Sequence, residues 1–115
     1  MSWLSALYKK YIFKDKISYF YEHPELLVEI EFSNRSEKMK NLWVELACIG
    51  FELDVKTEYK ILTHDKYFRI EFKDDDNITF YLQHSFGFKL YKRPVSEEVI
   101  NPFEWTLDLD ITGIN

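Results

Sequence analysis

Apolar and polar residues alternate with a period of two in several short runs of the chain, and the last run is the most regular. Trp105, Leu107, Leu109 and Ile111 alternate there with Thr106, Asp108 and Asp110. Successive side chains of a strand point to opposite faces, so this run predicts a strand with one apolar face and one carboxylate face. Val28 to Phe32, with Glu29 and Glu31, and Phe51 to Val55, with Glu52 and Asp54, repeat the pattern. Together the three runs predict a sheet whose solvent side is acidic, which suits a binding surface better than a catalytic pocket. Further strands are expected at 59–63, 67–72, 78–83 and 86–91. Between two of them, Lys73-Asp74-Asp75-Asp76-Asn77 reads as a turn, because Asp and Asn bond their own backbone and tolerate left-handed geometry.

Two segments switch to helical spacing. Trp3, Leu4, Leu7, Tyr8, Tyr11 and Ile12 fall on one face of a helix over 2–14. Met39, Leu42, Trp43, Leu46 and Ala47 predict a second helix over 36–49, with Asn34 and Ser36 as capping oxygens, Glu37 in the first turn and Gly50 at its left-handed end. Val44 and Cys48 project to the far side of that helix, so another element or a partner is expected to cover them. Residues 17–21 suit either a continued helix or an aromatic strand, up to the boundary that Pro24 imposes. Ser96 to Ile100 has the cap and acids of a single helical turn before Pro102. The expected fold class is α+β: one domain over 1–115, with a single antiparallel sheet of about five to seven strands and two helices packed on one face.

Composition narrows the function more than the fold. Of 115 residues, 46% are apolar and 18% aromatic, far too rich in core formers for a disordered chain. The net charge of −5 opposes passive attraction to nucleic acid or anionic membrane and permits attraction to a basic protein. The acidity is concentrated after residue 16, since Lys9, Lys10, Lys14 and Lys16 face only Asp15 before that point. Lys9 and Lys10 also interrupt any apolar export signal, and no run is long enough to span a membrane. The single cysteine, Cys48, excludes an intramolecular disulfide and fits a cytoplasmic location.

Candidate chemistry is sparse. A calcium loop starting at Asp74 would place Thr79 where glycine belongs and Ser85 where a bidentate glutamate belongs, so a solvated turn is expected and no metal. His23, His64 and His84 lack any ligand or catalytic spacing, and Cys48 at a helix C-terminus would be a poor thiolate. Neither a glycine-rich phosphate loop nor a nucleophile elbow occurs, so no catalytic residue and no cofactor are expected.

A non-catalytic, acidic chain of this size fits a stoichiometric inhibitor, in the sharpest form a bacterial immunity protein or antitoxin that blocks a basic toxin domain such as a nuclease. Glu29, Glu31, Glu52, Asp54, Asp108 and Asp110 would supply the charge complementarity, and Trp105 or Tyr21 an aromatic anchor. Direct nucleic-acid binding is not expected. The alternatives are an acidic mimic of DNA and an assembly subunit that oligomerises through a sheet edge or the Val44/Cys48 face.

Overall fold

The computed structural model describes residues 18–45, 47–82 and 87–112. Strands dominate it: β1 (Val28–Asn34), β2 (Lys40–Glu45), β3 (Ile49–Leu53), β4 (Thr57–Thr63), β5 (Phe68–Phe72), β6 (Asn77–Leu82), β7 (Phe88–Pro94) and β8 (Thr106–Asp110). They form two four-stranded sheets, sheet 1 in the order β1-β4-β7-β8 and sheet 2 in the order β3-β2-β6-β5. Among the described residues, helical structure is confined to residues 18–22 and a 3-10 turn at Pro24–Leu26. The expected single sheet with two packed helices is therefore wrong; the described chain is a mainly β, two-sheet structure. The expected helix over 2–14 lies outside the described residues. No helix among the described residues is long and apolar enough to cross a membrane.

The segment expected as the helix over 36–49 is instead the β2–β3 hairpin. Its helical spacing was real, but so was a short alternation that the spacing concealed. Leu42 and Val44 are fully buried, whereas Trp43 between them is 40% exposed. A helix would have carried Trp43 inward with Leu42 and turned Val44 away; a strand does the reverse, which removes the need for an extra cover over Val44. Cys48 takes the left-handed conformation, with φ 54°, in the turn between the strands. Gly50 does not end a helix. It pairs with Trp43 across the hairpin, and a Cβ there would meet the indole Cε3 at 3.0 Å.

The supposed capping residues serve the crossing between sheets. Asn34, buried at the end of β1, donates from Nδ2 to the carbonyls of Lys38 at 2.9 Å and Leu53 at 3.1 Å. Its Oδ1 accepts from the Ser36 amide at 3.1 Å and hydroxyl at 2.6 Å. One side chain thus ties the end of sheet 1 to β3 of sheet 2. Buried amides need such complete pairing, because each orphaned polar group costs about 1–3 kcal/mol.

The core lies between the sheets. Ile30, Tyr59, Ile61, Phe88 and Leu90 come from sheet 1, and Leu42, Val44, Leu53, Phe80 and Leu82 from sheet 2. Phe32 meets Phe80 edge to face, with ring centroids 5.0 Å apart, which closes the two layers on each other. Antiparallel pairing holds throughout sheet 1 and in most of sheet 2, but β2 and β6 run parallel. That pair joins hairpins β2–β3 and β5–β6, and the long excursion through β4 supplies the connection a parallel pair requires.

Candidate protein-binding surface

The outward face of sheet 1 is built by its two central strands. Glu58 and Lys60 of β4 stand opposite Arg93 and Tyr91 of β7. Trp105, just before β8, lies under both cations, with the Arg93 guanidinium 3.9 Å and Lys60 Nζ 5.0 Å from its ring centroid. Lys60 also sits 5.1 Å from the Tyr91 ring, and Lys89 sits 5.2 Å from the Tyr21 ring. Tyr21 is fixed at the far end by its single hydroxyl proton, shared between the carbonyls of Leu62 at 2.9 Å and Gly87 at 3.0 Å. Burial, and secondarily the charge of Asp110, pushes the Tyr21 hydroxyl well above the usual phenol range.

This face anchors the loop between β7 and β8. Arg93 Nη2 donates to Glu58 Oε1 at 2.9 Å, and its Nη1 donates to the Phe103 carbonyl at 3.2 Å. Asn101 donates to Glu58 Oε2 at 3.1 Å and to the Pro94 carbonyl at 2.9 Å, while its Oδ1 accepts from the Phe103 amide. Burial would raise the Glu58 carboxyl, but hydrogen bonds from Arg93 and Asn101 outweigh it and hold the group below its ordinary value. Val95 is tied to the Lys56 carbonyl and Ser96 Oγ accepts from the Glu98 amide. The loop is bends, not the helical turn its sequence suggests.

At the loop's apex Val99 and Ile100 are 104% and 82% exposed, and Phe103 is also exposed. Glu97, Glu98 and Glu104 flank them in sequence, with no cation between Ser96 and Glu104. A cleft of about 530 Å³ runs beneath the apex, lined by Glu31, Arg35, Glu58, Arg93, Val99 and Asn101 among others. Two adjacent β-branched side chains held in water on a pinned loop, rimmed by acids, can engage a partner with little ordering cost.

The acids expected to share one face are distributed otherwise. Glu29 and Glu31 lie on β1, Asp108 and Asp110 on β8, and Glu52 on β3, all of them edge strands; Asp54 follows β3. Several face lysines of other strands: Glu29 with Lys60 at 3.8 Å, Asp110 with Lys89 at 4.0 Å, and Asp54 and Asp108 both with Lys92 at 3.7 and 3.4 Å. The regular alternation of the last run does not survive in β8. Leu109 pairs with Leu90 but Leu107 with Tyr91, so Asp108 is an extra, bulged residue and Leu107 emerges on the outer side with Asp110. Trp105 lies in the anchoring network and not at the apex.

Sequence reasoning missed Val99, Ile100, Arg93, Glu58 and Asn101. A usable signal was present for the first two, since an apolar pair flanked by Glu97 and Glu98 and confined between Pro94 and Pro102 has little room for a helix. The other candidate groups are engaged locally. Asp74 accepts from the Asp76 amide at 2.8 Å and from Asn77, closing the turn expected there. His23 Nδ1 lies 2.8 Å from the Tyr19 carbonyl, and the His64 ring stacks on Phe20 with centroids 4.9 Å apart. Cys48 is exposed, and His84 lies outside the described residues. Compared with known protein families, curated proteins and solved structures, the chain finds no match in any of the three.

Proposed function

We propose that this protein is a non-catalytic, protein-binding inhibitor that seats the Val99–Ile100 apex in a basic partner. The observation that carries the reading is an apolar pair in full contact with water on a loop fastened by Glu58, Arg93 and Asn101. The fastening prepays the conformational entropy that a floppy loop would lose on docking. Glu97, Glu98 and Glu104 add long-range attraction to a positive surface, and Glu31 in the cleft offers an acceptor to a partner cation. Action in the cytoplasm belongs to the same reading, supported by the unpaired thiol of Cys48.

The expected acidic face of Glu29, Glu31, Glu52, Asp54, Asp108 and Asp110 gives less support, because lysines answer several of these carboxylates. That pairing also weakens the DNA-mimic alternative, which requires acids at phosphate-like spacing. The narrower expectation of an immunity or antitoxin role finds nothing in the fold or the comparisons that points to it, and it is not carried forward.

The test uses wild-type protein and a V99D/I100D variant, side by side, to capture partners from the producing cells, followed by reconstitution from purified components. Each buried Val or Ile contributes about 1.5–3 kcal/mol, so the double variant should weaken a genuine complex at least about 100-fold. Its melting temperature should be unchanged. A complex of fixed stoichiometry that the variant loses and salt weakens, and in which the partner's activity is blocked, supports the reading. A partner that binds both proteins equally, or stays fully active when saturated, contradicts it.

A further inference from the structure

We infer that a second copy of this chain docks on the free edge of β5, joining two sheets 2 into one continuous sheet across a two-fold axis. Edge strand β5 reads Phe68-Arg69-Ile70-Glu71-Phe72 and pairs with β6 alone among the described residues. Phe68, Ile70 and Phe72 stand opposite Leu82, Phe80 and Ile78, which places them on the core side of sheet 2. Yet they are 43%, 39% and 74% exposed, whereas Phe80 and Leu82 are fully buried. This apolar row belongs to the core but lies beyond the cover that sheet 1 provides.

The backbone of β5 has the matching polarity. The Lys73 amide bonds to the Asn77 carbonyl at 2.9 Å, one step beyond the Phe72–Ile78 pair. Hydrogen-bonded pairs alternate in an antiparallel ladder, so Glu71 and Arg69 also bond toward β6. The N–H and C=O groups of Phe68, Ile70 and Phe72 therefore point to the open edge, where another strand would find them.

What selects a second copy is the charge order. An antiparallel pair centred on Ile70 sets Ile70 against its own counterpart, Phe68 against Phe72, and Arg69 against Glu71 in both directions. The strand is complementary to itself in both its apolar face and its charged face, as an isologous interface requires. The register also makes Ile70 a hydrogen-bonded pair, which its outward N–H and C=O permit. None of the other edges offers this. Self-pairing of β1 about Glu31 would oppose two glutamates, β8 is bulged at Asp108, and β3 carries Glu52 with no cation among its five residues.

Sedimentation equilibrium of the full chain should give twice the 14.0 kDa chain mass, falling to one chain on dilution. R69E and E71R should each be monomeric, because each opposes like charges twice across the axis. Mixing R69E with E71R in equal amounts should restore a dimer, and the R69E/E71R double variant should dimerise alone. Amides of Phe68, Ile70 and Phe72 should be protected from hydrogen exchange in the dimer and exchange rapidly in either single variant. V99D/I100D should dimerise normally, which separates this interface from the proposed partner site. A wild-type monomer at every concentration overturns the inference, including a monomer with protected β5 amides, which would mean that the chain covers its own edge. A dimer indifferent to both single charge changes, or single variants that stay monomeric when mixed, overturns it equally.

Discussion

Sheet 1 and sheet 2 contribute four strands each and share one core, but they finish their surfaces differently. In sheet 1 the edge strands β1 and β8 carry acids, the central strands β4 and β7 carry cations, and Tyr21, Tyr91 and Trp105 fill the space between. Charge neutralisation happens inside the sheet, and the leftover acidity collects on the β7–β8 loop. In sheet 2 the edge at β5 keeps an apolar row and a balanced Arg69/Glu71 pair, with open backbone beside it. The contrast teaches that an acidic strand in this chain marks an edge protected from self-association, a known use of edge charges. It does not by itself mark an interface.

If sheet 1 is organised by its cross-strand network, removing the cation at its centre should have the largest effect. R93A leaves Glu58, whose side chain is only 16% exposed, without its guanidinium partner and releases the Phe103 carbonyl. The expected loss is about 3 kcal/mol in urea unfolding, as for breaking a largely buried pair from one side. An effect no larger than an exposed ion pair gives would refute the network.

Next comes the joint between the sheets. N34A deletes the bonds that the Asn34 side chain makes to Lys38, Leu53 and Ser36 and should cost about 2 kcal/mol by the same measurement. The sheets would be shown to depend on apolar packing alone if stability were unchanged.

Two pH limbs sharpen the comparison further, since Glu58 lies on sheet 1 and Tyr21 packs against it. Glu58 is held below its ordinary value of 4.5, so it contributes stability above that pH and loses it as pH falls toward its folded value. E58Q should flatten the acid limb of a stability-against-pH curve. Tyr21 is raised above its ordinary 10.0, so its contribution is complete below pH 10 and is lost as pH rises beyond it. Y21F should cost about 1 kcal/mol at neutral pH for the hydrogen bond its hydroxyl shares between two carbonyls and remove part of the alkaline loss. A wild-type alkaline limb preserved in Y21F would assign that loss to other tyrosines.

The smallest effect is expected on the outer face of sheet 2. G50A brings a methyl to 3.0 Å from the exposed Trp43 indole, which can yield by a few tenths of an ångström. Less than about 1 kcal/mol should be lost, with a shift in tryptophan fluorescence as the ring moves.

Most strands were legible in the chain because their period of two extends over five or more residues, as in Tyr59 to Thr63 and Phe68 to Phe72. The turn at Asp74 to Asn77 was equally legible, since its chemistry is local. β2 was not, because Leu42 to Glu45 gives only two apolar and two outward positions, and the flanking Met39, Leu46 and Ala47 complete a helical spacing. The division into two sheets depends on which distant strands pair, a choice made by burial of Phe80, Leu82, Phe88 and Leu90 together and not by any one run. The bulge at Asp108 depends on β7 opposite it. The exposed Val99–Ile100 apex was hidden for the opposite reason: neither residue joins the core, and what fixes their loop, Glu58 and Arg93, lies on β4 and β7.

Backbone amide relaxation across the β7–β8 loop of the free protein tests the central claim that this apex is preformed. Residues 97–103 should be as ordered as β7 itself in the wild type, and should loosen in R93A while β1 and β4 remain ordered. Wild-type residues 97–103 that relax like a free tail, with R93A no different, would contradict it.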